Sequence, residues 1–303
     1  MKTLTIRTSF LRFFHRSHTV TIPESYEEMT PSQFIAVVAL SRQLITEEAF
    51  FLRFLGIKPS ILARLDPWHL YTITAQLDFL KKIKQGTSRI LIPSLPLFPK
   101  VSPSVFSVGS LLRKLWFCLR QLPLPFSVSG GSAFALLAPT DKLQSMTFQH
   151  FMTVDTFFSW YLYTGRDIYL RHFVAALYMQ PHEDFQSHDI ALTSKLIFQG
   201  RPMEKELCEA ISCNWALIRE WLSASYPFLF PAFSVSGGSA SAPSSPQASA
   251  EPSPKKQRPG SWLEIFDSLV GDDLTRILSY QTLPAIDVIR IIDRKIKEQK
   301  IKK

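Results

Sequence analysis

Apolar positions recur at three- and four-residue steps over most of this chain, and at two-residue steps only near its start. Thr3 to Ser9 and Thr19 to Ile22 alternate and are rich in Thr, Ile and Val, which predicts a short β hairpin within residues 1–23. Thr30-Pro31-Ser32-Gln33 then predicts a helix start. Thr30 can cap, Pro31 sits where a missing N–H costs nothing, and Gln33 can reach back. Phe34, Val37, Val38, Ala39 and Leu40 supply its apolar stripe. Thr46, with Glu47 and Glu48 behind it, opens a second helix that closes at Gly56. Asp66-Pro67 opens a third, carrying Leu70, Ile73, Leu77, Leu80 and Ile83 and ending in lysines and Gly86.

The densest apolar stretch runs from Thr147 to Tyr178 and predicts two helices packed back to back. Phe148, Phe151, Met152, Phe158, Trp160, Tyr161, Leu162 and Tyr163 crowd the first. Gly165 breaks the run, and Ile168, Leu170, Phe173, Val174, Leu177 and Tyr178 fill the second. Ser187 to Gln199 and Met203 to Ala224 read as further helices, the latter with Leu207, Ala210, Ile211, Trp215, Ile218 and Trp221.

Two regions depart from this pattern. Residues 89–139 carry prolines at 93, 96, 99, 103, 123, 125 and 139, which leave room for one helix, Ser110 to Leu122, and otherwise predict extended chain laid over the helices. Residues 234–261 are Ser, Pro, Ala and Gly around Lys255, Lys256 and Arg258, a composition that predicts a disordered linker. The octapeptide Phe126 to Ala133 recurs letter for letter at Phe233 to Ala240. The apolar period around the two copies is not shared, so they read as connectors and not as a structural repeat.

Beyond the linker, residues 262–303 form a small helical tail module. Trp262, Ile265, Phe266 and Leu269 make one amphipathic set, and Leu274, Ile277 and Leu278 follow. Pro284 opens a last helix with Ile286, Ile289, Ile292 and Ile296 along one side and Arg290, Arg294, Lys297 and Glu298 on the others. So few large apolar side chains are marginal alone, so the module must dock on its own body or on a partner. Trp262, Ile265, Phe266, Leu269, Ile286, Ile289, Ile292 and Ile296 are therefore the candidate partner-binding set. The expected fold is mainly α: a helical body over 1–233, the linker, and the tail.

Composition changes this picture little. A hydrophobic fraction of 46% is ample for a core, and 24 Phe against 11 Gly suits helical packing. The formal charge of +9 is dispersed along the chain. Three cysteines, Cys118, Cys208 and Cys213, make no disulfide framework and fit a reducing compartment. The first 23 residues hold no acid, but they lack the continuous apolar run of a secretory signal. No window of about 18 apolar residues is uninterrupted, so no membrane span is expected.

Candidate chemistry is sparse. His182, Glu183, Asp184, His188 and Asp189 are the one cluster of metal-type ligands, and they fall in a polar loop and helix start where capping explains them. His150 and Asp155 are five residues apart, a spacing that does not put them on one helical face for acid–base work. Nucleophile-elbow, zinc-protease, P-loop and dinucleotide motifs do not occur. No catalytic residue, cofactor or metal site is expected, and the chain reads as a non-enzyme. The lysines at 81, 82, 84, 255, 256, 295, 297, 300, 302 and 303 could grip phosphates, so a basic nucleic-acid-associated accessory protein is the alternative.

Three patches add a resemblance. Ile22 to Tyr26 leading into Met29 to Phe34 is similar to an IPESWxELTPxQF opening. Ala138 to Asp141 with Leu143 to Phe148 resembles GPxDxLxxLTFxxF, and Phe173 to Tyr178 a helical LVAxLY. Asn214 to Phe230 resembles a closing N…R.WL…YPxLF. Together they resemble proteins from the morphogenesis clusters of tailed prophages in gut bacteria, whose place in those clusters is similar to that of tail assembly chaperones. Tyr26 stands where that pattern has Trp, Ala138 where it has Gly, and the proline-rich middle has no counterpart. The resemblance implies a cytoplasmic chaperone in the bacterial host, with the tape measure or another tail protein as its partner.

Overall fold

The computed structural model describes residues 2–9, 15–63, 65, 67–77, 86–96, 135–139, 141–181, 183–200, 205–230, 262, 264–266 and 274–301. The fold is mainly α with a short N-terminal hairpin, as the periodicity predicts. Strands β1 (Lys2–Ser9) and β2 (His15–Ile22) pair antiparallel from Lys2 opposite Ile22 to Ser9 opposite His15. Within β2, Val20 and Ile22 are buried and Thr19 and Thr21 exposed, which is the alternation read from the sequence.

Helix α1 (Pro31–Ser41) starts with the complete capping box: Gln33 N–H donates to Thr30 Oγ1 and Thr30 N–H to Gln33 Oε1. The same Gln33 amide donates to the carbonyls of Thr21 and Phe54, so one side chain ties the hairpin, α1 and the end of α2 (Glu47–Leu55) together. Helices α3 (Pro59–Leu62) and α4 (Pro67–Gln76) follow. Ile73 and Leu77 of the third predicted stripe are buried, and Leu80 and Ile83 lie outside the described residues.

The expected centre is the centre. Helix α5 (Phe148–Thr164) and helix α6 (Asp167–Leu177) pack together through Phe158 and Phe173, whose ring centroids lie 5.3 Å apart. Gly165 makes the turn between them at φ 67°, where a Cβ would be strained. Leu162 and Ile168 were expected among the core residues but are exposed, because they flank that turn at the far end of the hairpin. A 3-10 turn (Phe185–Ser187) leads toward helix α7 (Ile190–Gly200), and the long helix α8 (Lys205–Ser225) follows. Trp215 of α8 reaches the rings of Phe151 and Phe173 and is fully buried.

The proline-rich insert is closed at its base. Strands β3 (Ser94–Pro96) and β4 (Ala135–Leu137) pair antiparallel, so the chain leaves and returns through one ribbon. Leu137 also exchanges both backbone bonds with Met179. The strip before β3 is buried at Ile90, Leu91 and Ile92. It is strapped down by Asn214, which accepts from Leu91 N–H and donates to Arg89 O, and by the Tyr178 hydroxyl, which donates to Ile92 O. Gly86 lies hard against α8. The insert's predicted Ser110 to Leu122 helix, the 234–261 linker and both copies of the octapeptide lie outside the described residues. The tail returns as a helical turn at Trp262, Ile265 and Phe266, then as helices α9 (Leu274–Thr282) and α10 (Ala285–Ile301).

Candidate interaction site

The tail docks on the body, and it does so at the head of α5. Thr147 caps that helix through a hydrogen bond from His150 N–H. Beside it Phe148 N–H donates to Leu283 O and Ala285 N–H to Met146 O, an isolated antiparallel bridge between Thr147 and Pro284. Pro284, predicted as a helix opener, brings no N–H of its own and precedes α10 at this bridge. From there α10 runs along the body with Ala285, Val288, Ile289 and Ile292 buried.

A second grip lies farther along α10. Asp293 Oδ1 accepts from the backbone N–H groups of Phe228 and Leu229, each at 2.9 Å. The ammonium groups of Lys297 and Lys300 stand 5.6 and 5.7 Å from the centre of the Phe228 ring. So the aromatic turn that closes the body, Tyr226 to Phe230, is held by the tail's last helix.

The third grip is the most specific. Asp155, in the middle of α5, is 1% exposed, and its carboxylate takes three N–H neighbours. Oδ1 accepts from Trp215 Nε1 at 3.1 Å and lies 3.3 Å from Arg219 Nε, both on α8. Oδ2 accepts from Trp262 Nε1 at 2.7 Å. A buried carboxylate is tolerated only when its lone pairs are met, and here one of the two oxygens is met by the tail. The Trp262 ring stands edge-on in a wall of Phe148, Phe151 and Phe230, at centroid distances of 6.1, 5.2 and 5.6 Å. Phe266 adds a tilted contact on Phe148 at 5.6 Å.

The sequence-predicted partner residues are thus placed on the chain itself. Trp262, Phe266, Ile289 and Ile292 are buried against the body, and Ile265, Ile286 and Ile296 are half-buried beside them. Leu269 lies outside the described residues. The buried row of α10 is Ala285, Val288, Ile289 and Ile292, with Ile286 at its margin. The predicted row of four isoleucines left out the smaller Ala285 and Val288 that complete the face.

Asp155, Arg219 and Asp293 were not predicted as parts of this site. An acid in the middle of an apolar helix was the available signal, since such a group must find donors when buried.

The other candidates have structural work. His150 is buried, with Nε2 at 2.6 Å from Ala176 O and its ring stacked on Phe185. Burial pushes its pKa down to about 4, against the opposing hydrogen bond to Ala176, so the neutral ring donates to the carbonyl. His188 Nε2 sits 2.8 Å from Ala175 O, and its Nδ1 lies 3.1 Å from Glu183 Oε2. Two imidazoles therefore cover consecutive carbonyls in the last turn of α6. Asp189 caps α7 through Leu192 N–H, and His182 lies outside the described residues. Among the described residues no group of three or more His, Cys, Asp or Glu could hold a metal ion. His150 and Asp155 serve different partners and do not meet.

Cys208 is buried and its thiol is pushed up to about 12, mainly by desolvation, while Cys213 is raised for the same first reason. Both stay protonated at neutral pH, and Cys118 is outside the described residues. Lys295, Lys297 and Lys300 are exposed on α10, and the remaining predicted lysines, at 81, 82, 84, 255, 256, 302 and 303, fall outside the described side chains. Among the described residues no helix is long and apolar enough to cross a membrane. No family model matches the chain, and neither a curated protein nor a solved structure does.

Proposed function

We propose that this chain is a non-enzymatic morphogenesis protein of a tailed prophage, an assembly chaperone that holds a long helical tail component such as the tape measure in the bacterial cytoplasm. The observation that carries the reading is a body surface built to grip an amphipathic helical segment. Its parts are Phe148, Phe151 and Phe230 around an indole, Asp155 beneath it, and the backbone bridge at Thr147. The patches that carry the prophage resemblance supply much of this surface, including Phe148, Arg219 and the Tyr226 to Phe230 turn. Helix-in-groove recognition needs such an apolar face with a few placed polar groups.

The test is co-expression with the long helical tail component encoded beside it, followed by co-purification. Both the full chain and a Trp262→Ala, Phe266→Ala variant are used, because deleting residues 262–303 would strip side chains from the core. A complex with either supports the reading, and no complex with either overturns it.

The alternative, a basic nucleic-acid accessory protein, is favoured by the outer side of α10, where Arg290, Arg294, Lys295, Lys297 and Lys300 are exposed. Asp287, Asp293 and Glu298 are interleaved with them, and two of the lysines lie over Phe228. Binding that falls steeply between about 50 and 200 mM salt would favour this alternative, and no detectable binding at low salt excludes it.

A further inference from the structure

Two features of the Asp155 site set it apart from ordinary core. From the body, Trp215 Nε1 donates to Oδ1 and Arg219 Nε lies 3.3 Å from the same oxygen. Among the described residues Trp262 Nε1 is the donor to Oδ2, and it arrives from beyond residues 231–261. Without the tail, Oδ2 of this buried carboxylate loses the indole N–H that it accepts and faces the aromatic slot of Phe148, Phe151 and Phe230. The slot therefore suits a flat ring that carries a donor at its edge, as the indole of Trp262 does.

The connection is also far longer than the docked state requires. Phe230 and Trp262, the two ends of the connection, have ring centroids 5.6 Å apart, where a few residues would close the gap. Residues 231–261 can span about 100 Å if drawn out.

We propose that the Asp155 slot is a tryptophan socket that takes an amphipathic helical segment of a partner protein, and that the chain's own tail occupies it as a stand-in until that partner arrives. This rests on the reading of the protein as a binder of helical components, and it names which surface binds and what regulates it. The tail serves as the template for the occupant. It has an indole for Asp155 Oδ2, an aromatic ring four residues on for Phe148, and a helix with an apolar row spaced like Ala285, Val288, Ile289 and Ile292. A Trp-bearing partner helix meets the carboxylate's need as the tail does, whereas a helix without one leaves it unmet.

The experiment uses full-length protein and a fluorescent peptide of residues 261–303 as the probe. In the Trp262→Ala chain the indole slot is vacated while the tail keeps its bridge at Thr147 and its Asp293 contact, so the peptide competes with a weakened tail and should bind at least tenfold more tightly than it binds the wild-type chain. A peptide with Trp262→Phe should bind that same variant at least tenfold more weakly, since it fills the slot without the N–H. Equal affinity for both chains, no binding to the variant, or indifference to the Phe exchange overturns the socket.

Should the Trp262→Ala chain fail to fold, a wild-type chain with a protease site placed after Ser244 is cut once folded. Exchange of its tail for Trp peptide, and not for Phe peptide, is then the expected result, and a tail that never exchanges overturns the proposal. Light scattering that finds wild-type dimers with reciprocally exchanged tails assigns the socket to a second copy and also overturns it. A socket that binds the peptide while no tail component co-purifies sinks the functional reading alone. A component that co-purifies without competing with the peptide sinks the socket alone.

Discussion

Trp262 donates its indole N–H to Asp155 Oδ2 at 2.7 Å, although the two residues stand 107 positions apart in the chain. The bond joins the tail to the middle of the central helix, in a place where water does not compete. Trp262→Phe keeps the ring and removes the donor, so it isolates that bond. It should cost about 1–3 kcal/mol, the range for leaving a buried acceptor without its partner. Trp262→Ala also empties the aromatic slot and should cost about 3–5 kcal/mol. Urea unfolding of the two variants checks this: no loss for Trp262→Phe would assign the whole effect to packing, and equal losses for both would assign it to the hydrogen bond.

The contrast between Thr30 and Asp155 explains what could be read in advance. The capping box at Thr30 and Gln33 is closed within three residues, so the local sequence contains the whole device. The same is true of Thr46 before α2 and Gly165 after α5. Asp155 takes its donors from 60 and 107 positions away, and no local pattern announces them. The tail was legible as an amphipathic segment in need of a surface, but which surface it takes is set by tertiary fit. The β3–β4 ribbon was missed for the same reason, since its three-residue strands lie at opposite ends of a long insert.

His150 makes the fold acid-sensitive in a defined window. In the folded chain its pKa is pushed down to about 4 by burial, while an unfolded histidine titrates near 6.5. Between those values the unfolded chain binds the extra proton, so stability falls as pH drops from about 6.5 toward 4 and is flat for this group above that window. The loss is on the order of 3 kcal/mol when complete. His150→Gln can keep a donor near Ala176 O but cannot titrate. Its stability difference from wild type should therefore shrink as pH is lowered from 7 to 4.5, and a constant difference across urea midpoints would count against the assignment.

Gly86 and Gly165 separate two reasons for having no side chain. A Cβ on Gly86 would sit 2.2 Å from both Leu217 O and Trp221 N, backbone atoms of α8 that cannot move without the helix. Gly86→Ala should cost about 3 kcal/mol or more, at the upper end of overpacking effects. Gly165 has open space around that position and only the left-handed conformation to satisfy, so Gly165→Ala should cost about 1–2 kcal/mol. Thermal melts of the two variants should rank them in that order. The reverse ranking would show that Gly86 does not lie against α8 as described.

Asp293 tests whether the tail holds on as one unit. Its Oδ1 receives the N–H groups of Phe228 and Leu229 in the turn that closes the body. Asp293→Ala leaves both without that acceptor in a half-buried place, for a loss of about 1–2 kcal/mol, whereas Asp293→Asn can keep an acceptor and should lose less. Trp262 and Asp293 grip the body at separate points, with the Thr147–Pro284 bridge as a third attachment. A segment that docks cooperatively opens as a block, so hydrogen exchange should quicken across residues 274–301 in both Asp293→Ala and Trp262→Phe. Exchange that quickens only next to each substitution would mean independent contacts, and a tail that peels off piecemeal could not be displaced as a whole by a competing helix.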